Sequence, residues 1–138
     1  MNYLLDTNAC IALMNGIPSA VRIRFGQAVR ARSQVYLSSV IAFELWYGIA
    51  KSARVEVNTE RFKALLSSSV LALQFDNDDA QAAGSIRAAL EAMGKPIGGY
   101  DYLIAGQAIA RQLTLVTANV SEFSRVKGLS WEDWAKHS

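Results

Sequence analysis

The chain has 138 residues, of which 51% are hydrophobic and 19% are charged, and its net charge is only +2. This length and apolar content predict one folded domain, residues 1–138, and exclude a disordered chain. No apolar stretch approaches the ~20 residues that cross a bilayer, and no basic segment precedes the first apolar run. We therefore expect neither a membrane partner nor a signal peptide.

Two rare residue types restrict the location and the chemistry. A single cysteine, Cys10, excludes an internal disulfide, fits a reducing cytoplasm and lies among apolar residues as a core side chain would. The only histidine, His137, is next to last, where chain ends commonly fray. Histidine-based catalysis is therefore not expected, and any chemistry must use carboxylates, amides, hydroxyls or a metal.

The charges are unevenly distributed. Residues 7–43 contain no acid and four arginines: Arg22, Arg24, Arg30 and Arg32. A basic region of this kind fits an anionic partner, and it fits equally well a solvated helix face.

The apolar patterns predict strands that alternate with helices. In the first half, strands fall at residues 2–5 and 35–39, and helices at 7–14, from 18 onward, at 40–51 and at 57–69. In the second half, strands fall at 70–75, 113–117 and 129–131, and helices at 80–93 and 102–112, with loops at 76–79 and 98–101. The alternation predicts an α/β fold of three layers, α/β/α, with a central, mostly parallel sheet of four to five strands.

Four polar side chains stand where this fold would gather them. Asp6 and Asn119 follow the first and fourth strands, so they share one edge of the sheet if those strands are neighbours. Helices that enter from the same edge would bring Asp101 and Glu44. Glu44 is the lone charge in an apolar helix, so it needs either a salt bridge to an arginine or a metal. Asp101 fits a helix N-cap or a ligand.

Other acids have simpler interpretations. Asp76, Asp78 and Asp79 precede a predicted helix and are interpreted as N-caps and helix-dipole partners rather than as a metal site.

Three carboxylates in one pocket would repel one another, and a divalent cation resolves that conflict. Oxygen ligands without histidine or cysteine favour Mg²⁺, with Mn²⁺ as a substitute. A carboxylate-held Mg²⁺ beside a basic surface suits phosphodiester hydrolysis.

At this point the chain resembles the PIN-domain ribonucleases, and among them the VapC toxins of bacterial toxin–antitoxin pairs. The matching segments cover nearly the whole chain: L-L-D-T-N at 4–8, S-S-V-I-A-F-E-L-W-Y-G at 38–48, I-G-G-Y-D-Y-L-I-A at 97–105, L-V-T-A-N-V-S-E-F-S-R-V at 115–126 and W-E-D-W at 131–134. The resemblance implies that Asp6 and Asp101 are direct metal ligands and that Glu44 completes the pocket through a metal-bound water. It also implies that Thr7 or Ser39 hydrogen-bonds the site from behind the ligands and that Glu122 lies behind them too.

One position departs from the family pattern. The family often carries a fourth acid after the last long strand, where this chain has Asn119, with Glu122 three residues on. The resemblance then implies one well-bound Mg²⁺ and a weak second one.

The resemblance also implies a substrate and partners. The substrate class is structured RNA, especially transfer RNA, cut in single-stranded loops to leave a 3′-hydroxyl and a 5′-phosphate. The expected partners are a VapB-type antitoxin, whose C-terminal segment lies in a groove among the toxin's helices, and a second copy in a homodimer within a larger complex. Tyr47, Tyr100 and Tyr102 are either packing residues or stacking groups near the pocket.

Two other functions fit some of the same features. Asn119 would suit a catalytically inactive PIN domain that serves as a binding module. A signalling receiver shares the alternation of strands and helices, and Asp76 ends a predicted strand where a receiver carries its phosphoacceptor. The single acid after strand one and the missing lysine after strand four argue against a receiver.

Overall fold

A computed structural model describes residues 1–136, and His137 lies outside the described residues. Five strands form one sheet in the order β3-β2-β1-β4-β5, and all four pairings are parallel. The strands are β1 (Tyr3–Leu5), β2 (Val35–Ser38), β3 (Val70–Leu73), β4 (Thr114–Val116) and β5 (Trp131–Glu132). The predicted sheet is therefore confirmed.

Helices cover the sheet and give the predicted three-layer α/β/α arrangement. Within residues 1–136 they are α1 (Thr7–Asn15), α2 (Ser19–Arg30), α3 (Ser39–Ala50), α4 (Val55–Leu66), α5 (Asn77–Ala92), α6 (Gly99–Ala110) and α7 (Val120–Phe123). In this part of the chain no helix is both long enough and apolar enough to cross a bilayer.

Helices α5 and α6 begin clearly earlier than the sequence indicates. Asp76 caps α5 in a reciprocal capping box with Asp79, so the predicted loop 76–79 is mostly helix. Gly98 is the N-cap of α6, so the predicted loop 98–101 is wrong at its end and Asp101 lies in the first helical turn. Glycines signal a loop in a sequence, but here one of them supplies the extended backbone on which the helix starts.

The C-terminal segment contributes a strand and a buried tryptophan to the fold. β5 lies at Trp131–Glu132 rather than at 129–131. Beyond it, Trp134 is buried and packs edge-on against Tyr3, with ring centroids 5.1 Å apart. The end of the described chain therefore seals the core beside β1.

Strand β1 lies at the centre of the sheet and sets the position of the site. Leu4 and Leu5 are fully buried, and Leu5 pairs with Val116 of β4. The next residues, Asp6 and Thr117, therefore leave the sheet side by side at its carboxyl edge, as predicted for neighbouring strands one and four.

Two of the four arginines of the acid-free region stabilise the fold. Arg22 donates from Nε to Leu13 O at 2.9 Å and so satisfies a carbonyl at the end of α1. Arg24 pairs with Glu132 at 3.3 Å and lies over the Tyr3 ring. The positive charges of these two arginines are therefore partly engaged by groups of the protein itself.

The interpretation of the aspartates before α5 is confirmed. Asp79 is buried, and Arg111 Nε donates to its Oδ1 at 3.0 Å. Burial would raise the pKa of Asp79, but the Arg111 and Asp76 hydrogen bonds outweigh it and hold this pKa below its usual range. These acids belong to a structural network and not to a metal site.

Candidate active site

Asp6 stands at the centre of the site because it ends β1 and caps α1. Its Oδ1 accepts a hydrogen bond from the Ala9 N–H at 2.8 Å, and its carboxylate also accepts one from the Thr117 hydroxyl. Burial raises the pKa of Asp6, and the nearby charge of Asp133 raises it further, while these hydrogen bonds oppose the shift. The structure thus holds a buried carboxylate in one orientation.

Glu44 reaches the same place from α3. Its Oε1 accepts a hydrogen bond from the Thr7 hydroxyl at 3.1 Å, as predicted for Thr7. No ion pair joins Glu44 to an arginine or lysine within residues 1–136, so the salt-bridge interpretation is wrong. Burial raises the pKa of Glu44, and the charge of Asp6 raises it too.

Asp101 lies in the first turn of α6 and faces Glu122 of α7, to which it is hydrogen-bonded. Burial raises the pKa of Asp101 to about 7, together with this hydrogen bond and the charges of Glu122, Glu44 and Asp6. The pKa of Glu122 is lowered, first by its hydrogen bond with Asp101. Below about pH 7 the pair therefore keeps one proton, which resides on Asp101.

Asn119 supports this pair rather than replacing an acid. Its Nδ2 donates to Glu122 Oε2 at 2.9 Å. Glu122 thus supplies a fourth carboxyl group to the cluster, although residue 119, where the family often has an acid, is an amide. The short helix α7 carries Glu122 to the site, as predicted, but its hydrogen bond with Asp101 was not predicted.

Thr117 is a site residue that sequence reasoning missed. It is buried, donates to Asp6, and accepts the Asn119 N–H at 3.0 Å. The sequence could have identified Thr117 as a site residue, because it directly follows the strand predicted to lie beside the one that ends at Asp6. Ser39, in contrast, was predicted as a possible hydrogen-bond partner of the site, and it does not have that role. Its hydroxyl accepts the Phe75 N–H at 3.2 Å and so contacts the chain after β3.

The donor set fits a hydrated Mg²⁺ better than a closed metal cage. Within residues 1–136, no group of three or more acidic, histidine or cysteine side chains is close enough to hold a metal by itself. Mg²⁺ keeps several waters and needs only one or two carboxylates from the protein. Burial raises the pKa values of Asp6, Glu44 and Asp101, and nearby negative charges add to each shift, so a bound cation would stabilise the ionised carboxylates.

An apolar groove adjoins the acids. Its volume is about 680 Å³, and Thr7 and Glu44 belong to its lining. Phe43, Tyr47 and Tyr100 also line it and are exposed. The sequence predicts an apolar helix here, and Phe43 and Tyr47 of α3 stay exposed in this groove.

Comparison with known proteins identifies the family to which this fold and site belong. The PIN domain profile matches residues 3–129. The tRNA(fMet)-specific endonuclease VapC of Shigella flexneri is 39% identical over 98% of this chain and 99% of that protein. The chain belongs to the VapC ribonucleases of the PIN-domain family. A second VapC relative, Ribonuclease VapC2 of Rickettsia felis, is 35% identical over 99% of this chain and all of its own length.

Solved structures agree with this VapC assignment. The structure of VapBC2 from Rickettsia felis bound to a DNA fragment from its promoter matches with a TM-score of 0.91 and 34% identity, over 97% of this chain and 99% of that one. DNA-bound VapBC from Salmonella typhimurium matches with a TM-score of 0.88 and 37% identity, over 97% and 98%. The predicted PIN fold and ribonuclease class are confirmed.

The receiver interpretation is wrong. Asp76 caps α5 and pairs with Arg111 at 2.8 Å, so it is not a phosphoacceptor in a central pocket. Its strand, β3, lies at the edge of the sheet, away from β1 and β4.

Proposed function

We propose that this VapC chain is the Mg²⁺-dependent endoribonuclease toxin of a VapBC pair. It hydrolyses phosphodiester bonds in single-stranded parts of structured RNA, with transfer RNA as the substrate class. Water attacks the phosphorus and the bond to the 3′ oxygen breaks, which leaves a 3′-hydroxyl and a 5′-phosphate. The tRNA(fMet)-specific name of the Shigella flexneri relative supports this substrate class.

One observation carries the proposal. Carboxyl groups from four separate elements, Asp6, Glu44, Asp101 and Glu122, act on one another at the carboxyl edge of β1 and β4. Burial raises the pKa values of Asp6, Glu44 and Asp101, and neighbouring negative charges add to each shift, so a purely structural role does not explain why these carboxyl groups are gathered here.

Each acid has a partner that fixes its position. Asp6 and Asp101 would hold Mg²⁺, or Mn²⁺ in its place, and Glu44 would join through water. When bound, the ion polarises the phosphoryl oxygens and orients the attacking water. Thr7 holds the Glu44 carboxylate, and Thr117 with the Ala9 N–H holds Asp6. Glu122 holds Asp101 by a hydrogen bond and is itself held by Asn119.

The partner proposal rests on the exposed groove. A VapB-type antitoxin would lay its C-terminal segment against α3, where Tyr47 is 60% exposed, and bring a basic side chain to the acids. The solved VapBC complexes named above support this kind of partner. We also propose that the chain forms a homodimer, and that this homodimer joins a larger complex with the antitoxin.

The test is cleavage of total tRNA by the purified chain with Mg²⁺ or with EDTA. We expect discrete fragments in Mg²⁺, none in EDTA, and a loss on the order of 10³-fold in Asp6→Asn. The amide introduced by this substitution keeps an oxygen that accepts the Ala9 N–H, so α1 should remain capped and the melting temperature should fall little.

Asp78→Asn is the matched control, since it makes the same chemical change in the first turn of α5, outside the cluster. It should cut tRNA at the wild-type rate. A gel of each preparation must show no second chain, which excludes inhibition by antitoxin. Cleavage that persists in EDTA or in Asp6→Asn would refute the metal-dependent mechanism.

A further inference from the structure

Two exposed aromatic side chains form a pair beside the acids. Phe43 of α3 and Tyr100 of α6 have ring centroids 5.9 Å apart, with 47° between the ring planes. They are 55% and 48% exposed. Each directly precedes an acid of the cluster, Glu44 and Asp101. The pair therefore borders the position at which a scissile phosphate would bind.

The fold does not use these rings as core. By contrast, Tyr102 is 4% exposed and its hydroxyl accepts the Ile97 N–H at 3.0 Å, so Tyr102 is a packing residue. Trp46, on another side of α3, packs edge-on against Phe62 with centroids 4.7 Å apart. The Phe43–Tyr100 pair, by contrast, is about half exposed and lines the groove.

The same groove offers the other groups that a nucleotide needs. The Lys51 ammonium lies 4.6 Å from the centre of the Tyr47 ring and lines the groove together with the amides of Asn15 and Asn58. An ammonium group suits a backbone phosphate, and amides can both donate to and accept from base edges. Aromatic faces stack on any base.

We propose that the Phe43–Tyr100 pair is a base-stacking subsite, which holds one unpaired base of the RNA next to the scissile phosphate. Lys51 then contacts a phosphate further along the strand. The inference rests on the proposed ribonuclease function and deepens it. It gives a physical reason for cleavage in loops, because only a base that is not stacked in a duplex can reach these rings.

A peptide could cover the same rings, but it would use them differently. A peptide contact depends on apolar area, which a leucine side chain supplies nearly as well as a tyrosine ring. Base stacking needs an aromatic face. Tyr100→Leu therefore separates the two occupants, and Tyr100→Phe, which keeps the ring, is the conservative variant.

The experiment measures the Kd of a short, labelled, single-stranded RNA by fluorescence anisotropy, with Ca²⁺ in place of Mg²⁺ to slow hydrolysis. A second oligonucleotide of the same length carries abasic residues. We expect Tyr100→Leu to weaken RNA binding about tenfold or more, and Tyr100→Phe to stay within about twofold of wild type. Wild type should bind the abasic strand as weakly as Tyr100→Leu binds the intact strand. On the abasic strand, Tyr100→Leu and wild type should bind equally well, because the stacking contact is already lost.

Trp46→Leu is the matched control, since it removes an exposed aromatic ring from the same helix outside the groove. It should bind RNA as wild type does even if the loss of its contact with Phe62 lowers the melting temperature, whereas Tyr100→Leu and Tyr100→Phe should keep the wild-type melting temperature. Unchanged RNA affinity in Tyr100→Leu would overturn the proposal and would assign the pair to a peptide contact, which a leucine side chain preserves. RNA cleavage by wild type in Mg²⁺ is scored separately, so failure of the ribonuclease proposal is distinct from failure of the stacking subsite.

Discussion

Single residues set the charge of the site, and Asn119 is the most informative of them. Its amide donates to Glu122, so Asn119→Asp replaces a donor with a carboxylate that faces another carboxylate. Without metal we expect the variant to lose about 1–2 kcal/mol of stability. With Mg²⁺ or Mn²⁺ we expect tighter binding, since the cluster has gained a charge.

Calorimetric titration of wild type and Asn119→Asp with Mn²⁺ tests this. A dissociation constant that does not fall would mean that residue 119 acts on Glu122 alone and has no influence on the cation. Asn119→Ala is the control, because it removes the donor without adding charge.

Glu44 gives a second prediction at this scale. Burial raises its pKa, so ionised Glu44 destabilises the metal-free protein at pH 8. Glu44→Gln keeps an oxygen for the Thr7 hydroxyl and removes the charge. We expect its melting temperature in EDTA to rise by about 2 °C or more. A lower melting temperature would show that the carboxylate is stabilised by a partner.

At the scale of elements, the packing of α5 against α6 depends on one glycine. A Cβ on Gly106 would lie 2.5 Å from the Ala83 backbone nitrogen, and neither helix backbone can yield cheaply. Gly106→Ala should therefore cost about 2 kcal/mol or more in the free energy of unfolding, measured by urea denaturation.

Gly84 is the control in the same helix pair. It lies in α5, is exposed, and a Cβ there would contact nothing within 4 Å. Gly84→Ala should stabilise the protein by about 0.5–1 kcal/mol, because alanine favours the helix. Equal effects of the two substitutions would contradict the close helix contact.

At the scale of the whole molecule, the acidic cluster makes stability depend on pH. Asp101, with a pKa of about 7, keeps its proton in the folded state at pH values where the unfolded chain has released it. The folded state then binds more protons, so the free energy of unfolding falls as pH rises between about 4 and 7. Asp6 and Glu44, whose pKa values are also raised, act in the same direction.

Acids with lowered pKa values, Glu122 and Asp79, stay ionised above pH 5 and do not cancel this trend. We expect the metal-free protein to melt about 3 °C or more lower at pH 8 than at pH 5.5, by differential scanning calorimetry. Asp101→Asn should flatten most of this slope. A wild-type melting temperature that rises with pH would mean that the carboxyl groups do not interact in this way.

Much of the molecule could be predicted from the sequence. Alternating apolar patterns indicated the layers and the strands, since burial imposes a regular spacing on each element. Asp6 was recognisable as a site residue because it directly follows the strand that is buried at the centre of the sheet. The motifs around Asp6, Glu44 and Asp101 indicated the family, which the comparisons confirmed.

Other features were decided only by the tertiary structure. Glu122 hydrogen-bonds directly with Asp101, Ser39 contacts the chain after β3 instead, and Thr117 holds Asp6. Such partners depend on which strands are neighbours and on how their ends are turned. The sequence spacing of a side chain indicates its face of a helix or strand, but not what faces it across the sheet edge. The parallel pairing of β1 with β4 brings those ends together, and it depends on contacts between residues more than 100 positions apart in the chain.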